Sequence, residues 1–213
     1  GPGPKKGEYW QVPPHEIHKK YIVDMVQELA DTVLLQNFSF DIYGEKNSYN
    51  GTNIIARYNV SSPTQVLIGA HWDTRPWADK DADKSNNRKP IIGANDGASG
   101  VAVLLELARL LKLSPASIGI NLVFFDAEDS GVPGNNESYC KGSIYFSKNL
   151  PIVGVKEGII LDMVGDRELS LPIERNSLSL LTITQGGIHQ GYVAVSFQIV
   201  HCFFLSGPIL MAF

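Results

Sequence analysis

The sequence has few cysteines and no excess of basic residues. Cys140 and Cys202 are its only cysteines, too few for a disulfide framework, and they match no Cys-x-x-Cys spacing of metal or redox sites. The formal net charge is −4 and the pI is near 5.7, so no basic stripe can neutralise a phosphate backbone. We therefore expect no nucleic-acid partner, and small molecules or peptides fit better.

The two ends of the sequence also lack expected features. The opening Gly-Pro-Gly-Pro-Lys-Lys has no apolar core, so it does not read as a signal peptide. No Asp, Glu, Lys or Arg follows Arg175, although about nine charged residues would be expected there at the density of the preceding part. We expect a truncated, misread or alternatively spliced gene product. A membrane tail over residues 192–213 is the second interpretation, although polar residues interrupt this apolar stretch.

Between these ends, the apolar residues predict a single α/β domain. A chain of 213 residues with a hydrophobic fraction of 44% can bury one core. We predict an N-terminal arm over 1–14, the domain over 15–176 and the atypical tail over 177–213.

Helices and strands alternate within this domain. Apolar spacing predicts helices at 15–29 and 101–113, a pair of strands at 38–42 and 53–60 around the turn signal Asn50-Gly51, and buried strands at 65–70, 118–125 and 158–161. The pattern predicts a three-layer αβα fold, in which a mostly parallel mixed sheet has helices on both faces.

Acids and one histidine follow the buried strands where each strand ends. His71 and Asp73 follow the first, Glu128 and Asp129 the second, and Asp162 the third. In such sheets ligands gather beyond the carboxyl ends of the strands, and charged groups beside apolar strands need a compensating partner. Imidazole and carboxylate are zinc ligands, and the set is large enough for one ion or two.

Each residue also has a simpler explanation when taken alone. Asp96, in the turn Gly93-Ala-Asn-Asp-Gly97, precedes a predicted helix and would serve as its N-cap. Asp73 would cap the following loop, His71 would be a hydrogen-bonded histidine, and the Glu128-Asp129 pair would be solvated. The recurrence of such residues at the ends of one sheet's strands favours a shared cation instead.

Four motifs resemble those of the zinc exopeptidase superfamily, which contains dinuclear aminopeptidases and glutaminyl-peptide cyclotransferases. They are Gly69-Ala-His-Trp-Asp-Thr74, Gly93-Ala-Asn-Asp-Gly-Ala-Ser-Gly100, Phe124-Phe-Asp-Ala-Glu-Asp129 and Leu161-Asp-Met-Val-Gly165. Their order and spacing match over about residues 15–176. The stretch from His71 to Asp79, the Glu-Asp pair and the segment Tyr139-Cys-Lys-Gly-Ser143 look most like the bacterial glutaminyl cyclase-like branch.

The resemblance implies a zinc exopeptidase-like (phosphorylase/hydrolase-like) fold, here C-terminally incomplete, and a role for each motif residue. Asp96 and Asp129 match metal ligands, and Glu128 matches the general acid/base. In the two-metal relatives His71 and Asp162 bind the second ion and Asp96 bridges. In the cyclases one zinc suffices, and the residue matching Asp162 is a catalytic hydrogen-bonding partner.

The resemblance also implies a supporting residue and a substrate pocket. Asp73 matches the acid that orients the histidine two residues before it. Trp72, Trp77 and Tyr139 would either wall a small pocket or pack in the core or on the surface.

The resemblance ends before the family's last zinc histidine. His189 and His201 are the only candidates, and neither has the family's context, so we assign neither. Three functions stay open: a cyclase that converts N-terminal Gln of peptides to pyroglutamate, a dinuclear aminopeptidase, and an inactive relative. The first two imply peptide or protein N-termini as substrates, and we expect a monomer in an extracytoplasmic location, either secreted or periplasmic.

Overall fold

Apart from one short helix before the last strand, helices and strands follow one another in the order that the apolar pattern predicts. The computed structural model describes residues 13–42, 46 and 48–169. The elements are α1 (Pro13–Leu29), β1 (Thr32–Asp41), β2 (Ser48–Tyr58), β3 (Gln65–His71), α2 (Ala98–Leu113), β4 (Gly119–Phe125), α3 (Lys141–Lys148) and β5 (Val155–Ile160). The predicted tail, with His189, His201 and the segment 192–213, lies outside the described residues.

The five strands form one mixed sheet in the order β1-β2-β4-β3-β5. β2 is antiparallel to both β1 and β4, whereas β3 is parallel to β4 and β5. His71 is in register with Phe125, and Gly69 with Ile160. The three parallel strands therefore end at the same edge of the sheet.

Helices cover both faces of this sheet. On one face Val26 of α1 and Leu104 of α2 pack against the strands, and on the other Phe146 of α3 packs edge-on against Phe125, with ring centroids 5.4 Å apart. β4 is buried along its whole length, as is typical of a central strand covered on both sides. The predicted α/β fold is confirmed. None of the helices in the described part is both long and apolar enough for a membrane span.

The predicted turn at Asn50-Gly51 is wrong. Both residues lie inside β2, where Gly51 pairs with Phe38 and Asn50 with Ser39. The ring of Phe38 occupies the space that a β-carbon on Gly51 would need. The glycine therefore leaves room for an aromatic ring from the neighbouring strand. The residues next to Gly51 in the sequence do not indicate this contact.

Two helix starts differ from the prediction. α1 begins at Pro13, inside the predicted arm. Proline is favoured at the first helical position, because an N–H group there would have no partner within the helix and proline has no N–H group. α2 begins at Ala98 and approaches the sheet closely. A β-carbon on Gly100 would lie 2.6 Å from the carbonyl oxygen of Leu161 and 2.8 Å from Cβ of Ala70. The first turn of α2 is therefore held directly over the ends of β3 and β5.

Candidate metal centre

The edge where the parallel strands end carries the predicted acids and histidine. β3 ends at His71, Asp162 follows β5, and Asp129 follows β4. Asp73 comes two residues after His71. Asp96 lies in the turn before α2, and the N-cap position of that helix belongs to Gly97 rather than to Asp96. The structure brings these residues together from four separate stretches of the chain.

His71 lies at the centre of the cluster and is 1% exposed. Its Nε2 atom is 3.0 Å from Asp96 Oδ1 and 3.5 Å from Asp162 Oδ1, and its Nδ1 atom is 3.5 Å from Asp73 Oδ1. None of these contacts has good hydrogen-bond geometry, and within the described residues neither ring nitrogen has a hydrogen-bond partner. A buried imidazole in this state is available to bind an ion.

His71, Asp96 and Asp129 have the spacing of a metal site. One ligand atom from each lies within 4.8 Å of the others. Asp129 is 9% exposed, and its Oδ2 atom has no hydrogen-bond partner in the described part of the chain. One imidazole nitrogen and two carboxylate oxygens are a ligand set that zinc accepts, with a further position left for water or substrate. The residues present therefore fit a zinc ion.

Asp73 connects the ends of two strands. Its Oδ1 atom accepts the backbone N–H of Glu128 and its Oδ2 atom that of Asp129, both at 2.9 Å. Asp73 is 1% exposed and also faces His71 Nδ1. The family resemblance implies this proximity of Asp73 to the histidine. The two bonds to the acid loop, residues 126–129, could not be predicted, because no motif indicates where a carboxylate meets a distant backbone.

Glu128 lies beside the ligand set in an environment that disfavours its charge. Burial first, and then the carboxylates of Asp129, Asp73 and Asp162, raise the pKa of Glu128 well above its ordinary value, although His71 opposes them. A raised pKa makes the carboxylate of Glu128 a stronger base than an ordinary glutamate, which favours the proton transfer that a general acid/base performs.

The backbone around Glu128 is held by the start of α3. Ala127 has a φ of 56°, a left-handed conformation that alanine rarely adopts. The N–H groups of Cys140 and Lys141 donate to the carbonyls of Glu128 and Ala127 at 2.8 and 3.0 Å. The segment 139–143 therefore supports the acid loop.

Two ligand residues have raised pKa values, which favour the protonated forms that a metal ion would displace. Burial disfavours the charged ring of His71, but Asp162, Asp73 and Asp96 outweigh it and raise the pKa of His71 well above its ordinary value. Burial, followed by repulsion from Asp73 and Asp96, raises the pKa of Asp129 to about 6. His71 in turn lowers the pKa of Asp96.

We expect the zinc affinity to fall as the pH is lowered. Below about pH 6 the raised pKa means that Asp129 is protonated in the metal-free protein, in addition to His71, so binding must release both protons. The apparent Kd should rise about tenfold per pH unit for one displaced proton and about a hundredfold for two. Competition with a chromogenic chelator between about pH 7.5 and about pH 5 measures this effect. A Kd that stays constant over this range would contradict it, provided that circular dichroism shows a folded chain throughout.

The three aromatic residues that are candidates for a substrate pocket have different surroundings. Trp72 is 6% exposed and belongs to the core, in agreement with the alternative that it packs in the core. Trp77 and Tyr139 are half-buried. Arg75, which is not among the predicted site residues, lies over Tyr139 with its guanidinium carbon 5.7 Å from the ring centroid, and it pairs with Asp79. The sequence signal for the Arg75–Asp79 ion pair is that both residues stand, four positions apart, in the stretch from His71 to Asp79.

Comparison with known proteins agrees with this geometry. The model of peptidase family M28 matches residues 53–190. The chain is similar to the glutaminyl cyclase of Tannerella forsythia, with 36% identity, a TM-score of 0.76, and coverage of 81% of this chain and 61% of that chain. It is similar to a Zn-dependent exopeptidase from Parabacteroides distasonis, with 34% identity, a TM-score of 0.76 and the same coverage of 81% and 61%.

A third similar structure is a leucine aminopeptidase precursor from Bacteroides thetaiotaomicron, with 40% identity, a TM-score of 0.68, and coverage of 74% of this chain and 57% of that chain. The chain spans less than two thirds of the length of each of these proteins. The family match nevertheless covers more than half of the 213 residues, and the chain belongs to peptidase family M28.

Proposed function

We propose that the chain is a glutaminyl-peptide cyclotransferase-like zinc enzyme, which converts the N-terminal glutamine of peptides to pyroglutamate and releases ammonia. The observation that carries this proposal is the position of Glu128, whose raised pKa suits proton transfer, beside His71, Asp96 and Asp129, which can hold one ion. The 36% identity to the Tannerella forsythia glutaminyl cyclase supports the same assignment.

Asp96, Asp129 and His71 would hold the ion, and zinc would supply a Lewis acid that polarises the γ-carboxamide of the substrate. Glu128 would take a proton from the α-amine as its nitrogen forms a bond to the carboxamide carbon. The same proton would then pass to the departing amide nitrogen, which leaves as ammonia. Asp162 is 4% exposed and faces His71. It would form a hydrogen bond to the reacting groups during this proton transfer.

A dinuclear aminopeptidase is the second candidate. Asp162 Oδ1 lies 3.5 Å from His71 Nε2 and has no hydrogen-bond partner among the described residues. His71, Asp162 and Asp96 would then be the residues that hold a second ion. Glu128 would activate a water molecule to cleave the N-terminal peptide bond. The 40% identity to the leucine aminopeptidase precursor supports this alternative.

Metal analysis and an ammonia assay separate these functions. One zinc per chain, with ammonia release from Gln-Ala, would support the cyclase. Nα-acetyl-Gln-Ala is the matched control, because its blocked amine cannot attack the carboxamide. Two metals with release of free N-terminal residues would favour the aminopeptidase. An absence of both metal and turnover would favour an inactive family member. We also propose the extracytoplasmic location that the family resemblance implies.

A further inference from the structure

A second buried histidine–carboxylate pair lies behind the candidate metal centre. His15, in the first turn of α1, is 2% exposed, and Asp126, directly after β4, is 0% exposed. His15 Nε2 lies 3.0 Å from Asp126 Oδ1. Neither side chain is accessible to a substrate. Any contribution of this pair to the centre must therefore act through the residues that it contacts.

Asp126 organises the start of the acid loop. Its Oδ1 atom accepts the N–H of Ala127 and its Oδ2 atom that of Thr52, both at 2.8 Å. The first of these bonds holds the N–H group of Ala127, the residue in left-handed conformation. Glu128 and Asp129 follow immediately. The direction in which the chain leaves β4, and hence the position of both acids, depends on how the Asp126 carboxylate is held.

His15 also contacts the stretch that carries His71 and Asp73. Its ring lies against Trp72, with centroids 4.4 Å apart and planes tilted by 31°. Trp72 stands between His71 and Asp73 in the sequence, and its indole N–H donates to the carbonyl of Thr52 at 3.1 Å. The His15–Asp126 pair is therefore in contact with the ends of both β3 and β4.

We propose that His15 is a positioning residue, which fixes the loop 126–129 relative to the end of β3 and so sets the distance between the ligands Asp129 and His71. Helix α1 thereby becomes part of the support of the metal centre, although it supplies none of the ligands. This inference rests on the metal centre of the proposed function.

Two substitutions of His15 separate hydrogen bonding from general packing. In His15→Gln the amide nitrogen can take the place of Nε2 and donate to Asp126, whereas in His15→Asn it can reach only the place of Nδ1. His18→Asn is the matched control, because His18 is exposed on the same helix. We expect His15→Asn to weaken zinc binding about tenfold, the lower end of the usual effect of losing a residue that orients metal ligands. His15→Gln should retain most of the wild-type affinity.

The affinity is measured by chelator competition on the full 213-residue chain at a temperature where urea curves show every variant to be folded. A purely structural role would lower the Tm of both variants and leave the zinc Kd of the folded protein unchanged. Equal affinities of His15→Asn and the wild type would overturn the proposal.

Hydrogen exchange gives a readout that needs no metal. The amides of Glu128 and Asp129 are bonded to Asp73, so a loop that shifts should expose them. We expect faster exchange of these two amides in His15→Asn than in His18→Asn, with His15→Gln near the wild type. If the wild type binds no zinc, the proposed metal centre fails, and the exchange rates still decide the role of His15. Unchanged rates in His15→Asn would then reject it.

Discussion

Glu128→Gln is expected to lower turnover of Gln-peptides by about 10²- to 10⁴-fold, the usual contribution of a positioned general acid/base. Zinc should remain bound, because His71, Asp96 and Asp129 are unchanged. The glutamine is nearly isosteric but cannot carry a proton from the amine to the leaving ammonia. Turnover is measured by a coupled ammonia assay, and bound zinc by metal analysis of the same sample.

The stability of this variant provides a further test with a defined sign. The pKa of Glu128 is raised in the folded protein. Ionisation of this carboxyl group therefore destabilises the fold once the pH rises above the pKa that Glu128 has in the unfolded chain. A neutral glutamine removes this penalty, so the metal-free Tm of Glu128→Gln at neutral pH should equal or exceed that of the wild type. Glu137→Gln, at an exposed site in the following loop, is the matched control and should behave as wild type in both assays. Full turnover in Glu128→Gln would remove Glu128 from the proposed mechanism.

Asp73→Asn is expected to have the second-largest effect, with zinc affinity reduced about 10- to 100-fold. Asparagine offers one oxygen where aspartate offers two, and its amide group would face the N–H of either Glu128 or Asp129. One buried backbone donor would lose its acceptor, which costs about 1–3 kcal/mol in the free energy of unfolding. The negative charge beside His71 Nδ1 would be lost as well.

Chelator competition and urea denaturation measure these two effects of Asp73→Asn. Asp24→Asn is the matched control: Asp24 is exposed on α1, pairs with Lys20 at 2.6 Å, and as a surface ion pair contributes at most about 1 kcal/mol. If Asp73→Asn kept the zinc affinity of the wild type, Asp73 would not position the ligands, whatever its effect on stability.

Much of the fold could be predicted because apolar runs report directly on buried strands. Gln65 to Ala70 and 118–125 were recognised in this way, and the polar residues after them indicated where the strands end. Gly51 could not be predicted, because its partner, the Phe38 ring, lies on another strand. α3 was missed because its eight residues form too short a pattern.

The candidate site shows the same division. His71 and Asp162 follow recognisable apolar strands, and Asp96 lies in a recognisable turn, so each was predicted from its local context. The bonds from Asp73 to the acid loop and the His15–Asp126 pair were not. They join residues 55, 56 and 111 positions apart, and a periodic pattern carries no information about such distances.

The parallel arrangement of β3 between β4 and β5 also determines when the centre can assemble during folding. His71 meets Asp129 and Asp162 only after both long crossovers have brought their strands into register, and closing such loops is slow and entropically costly. Within the described residues, no hairpin or isolated helix contains two of the ligands. A metal ion therefore cannot nucleate this chain as it nucleates a zinc finger, and it should bind late, to a sheet that has already formed.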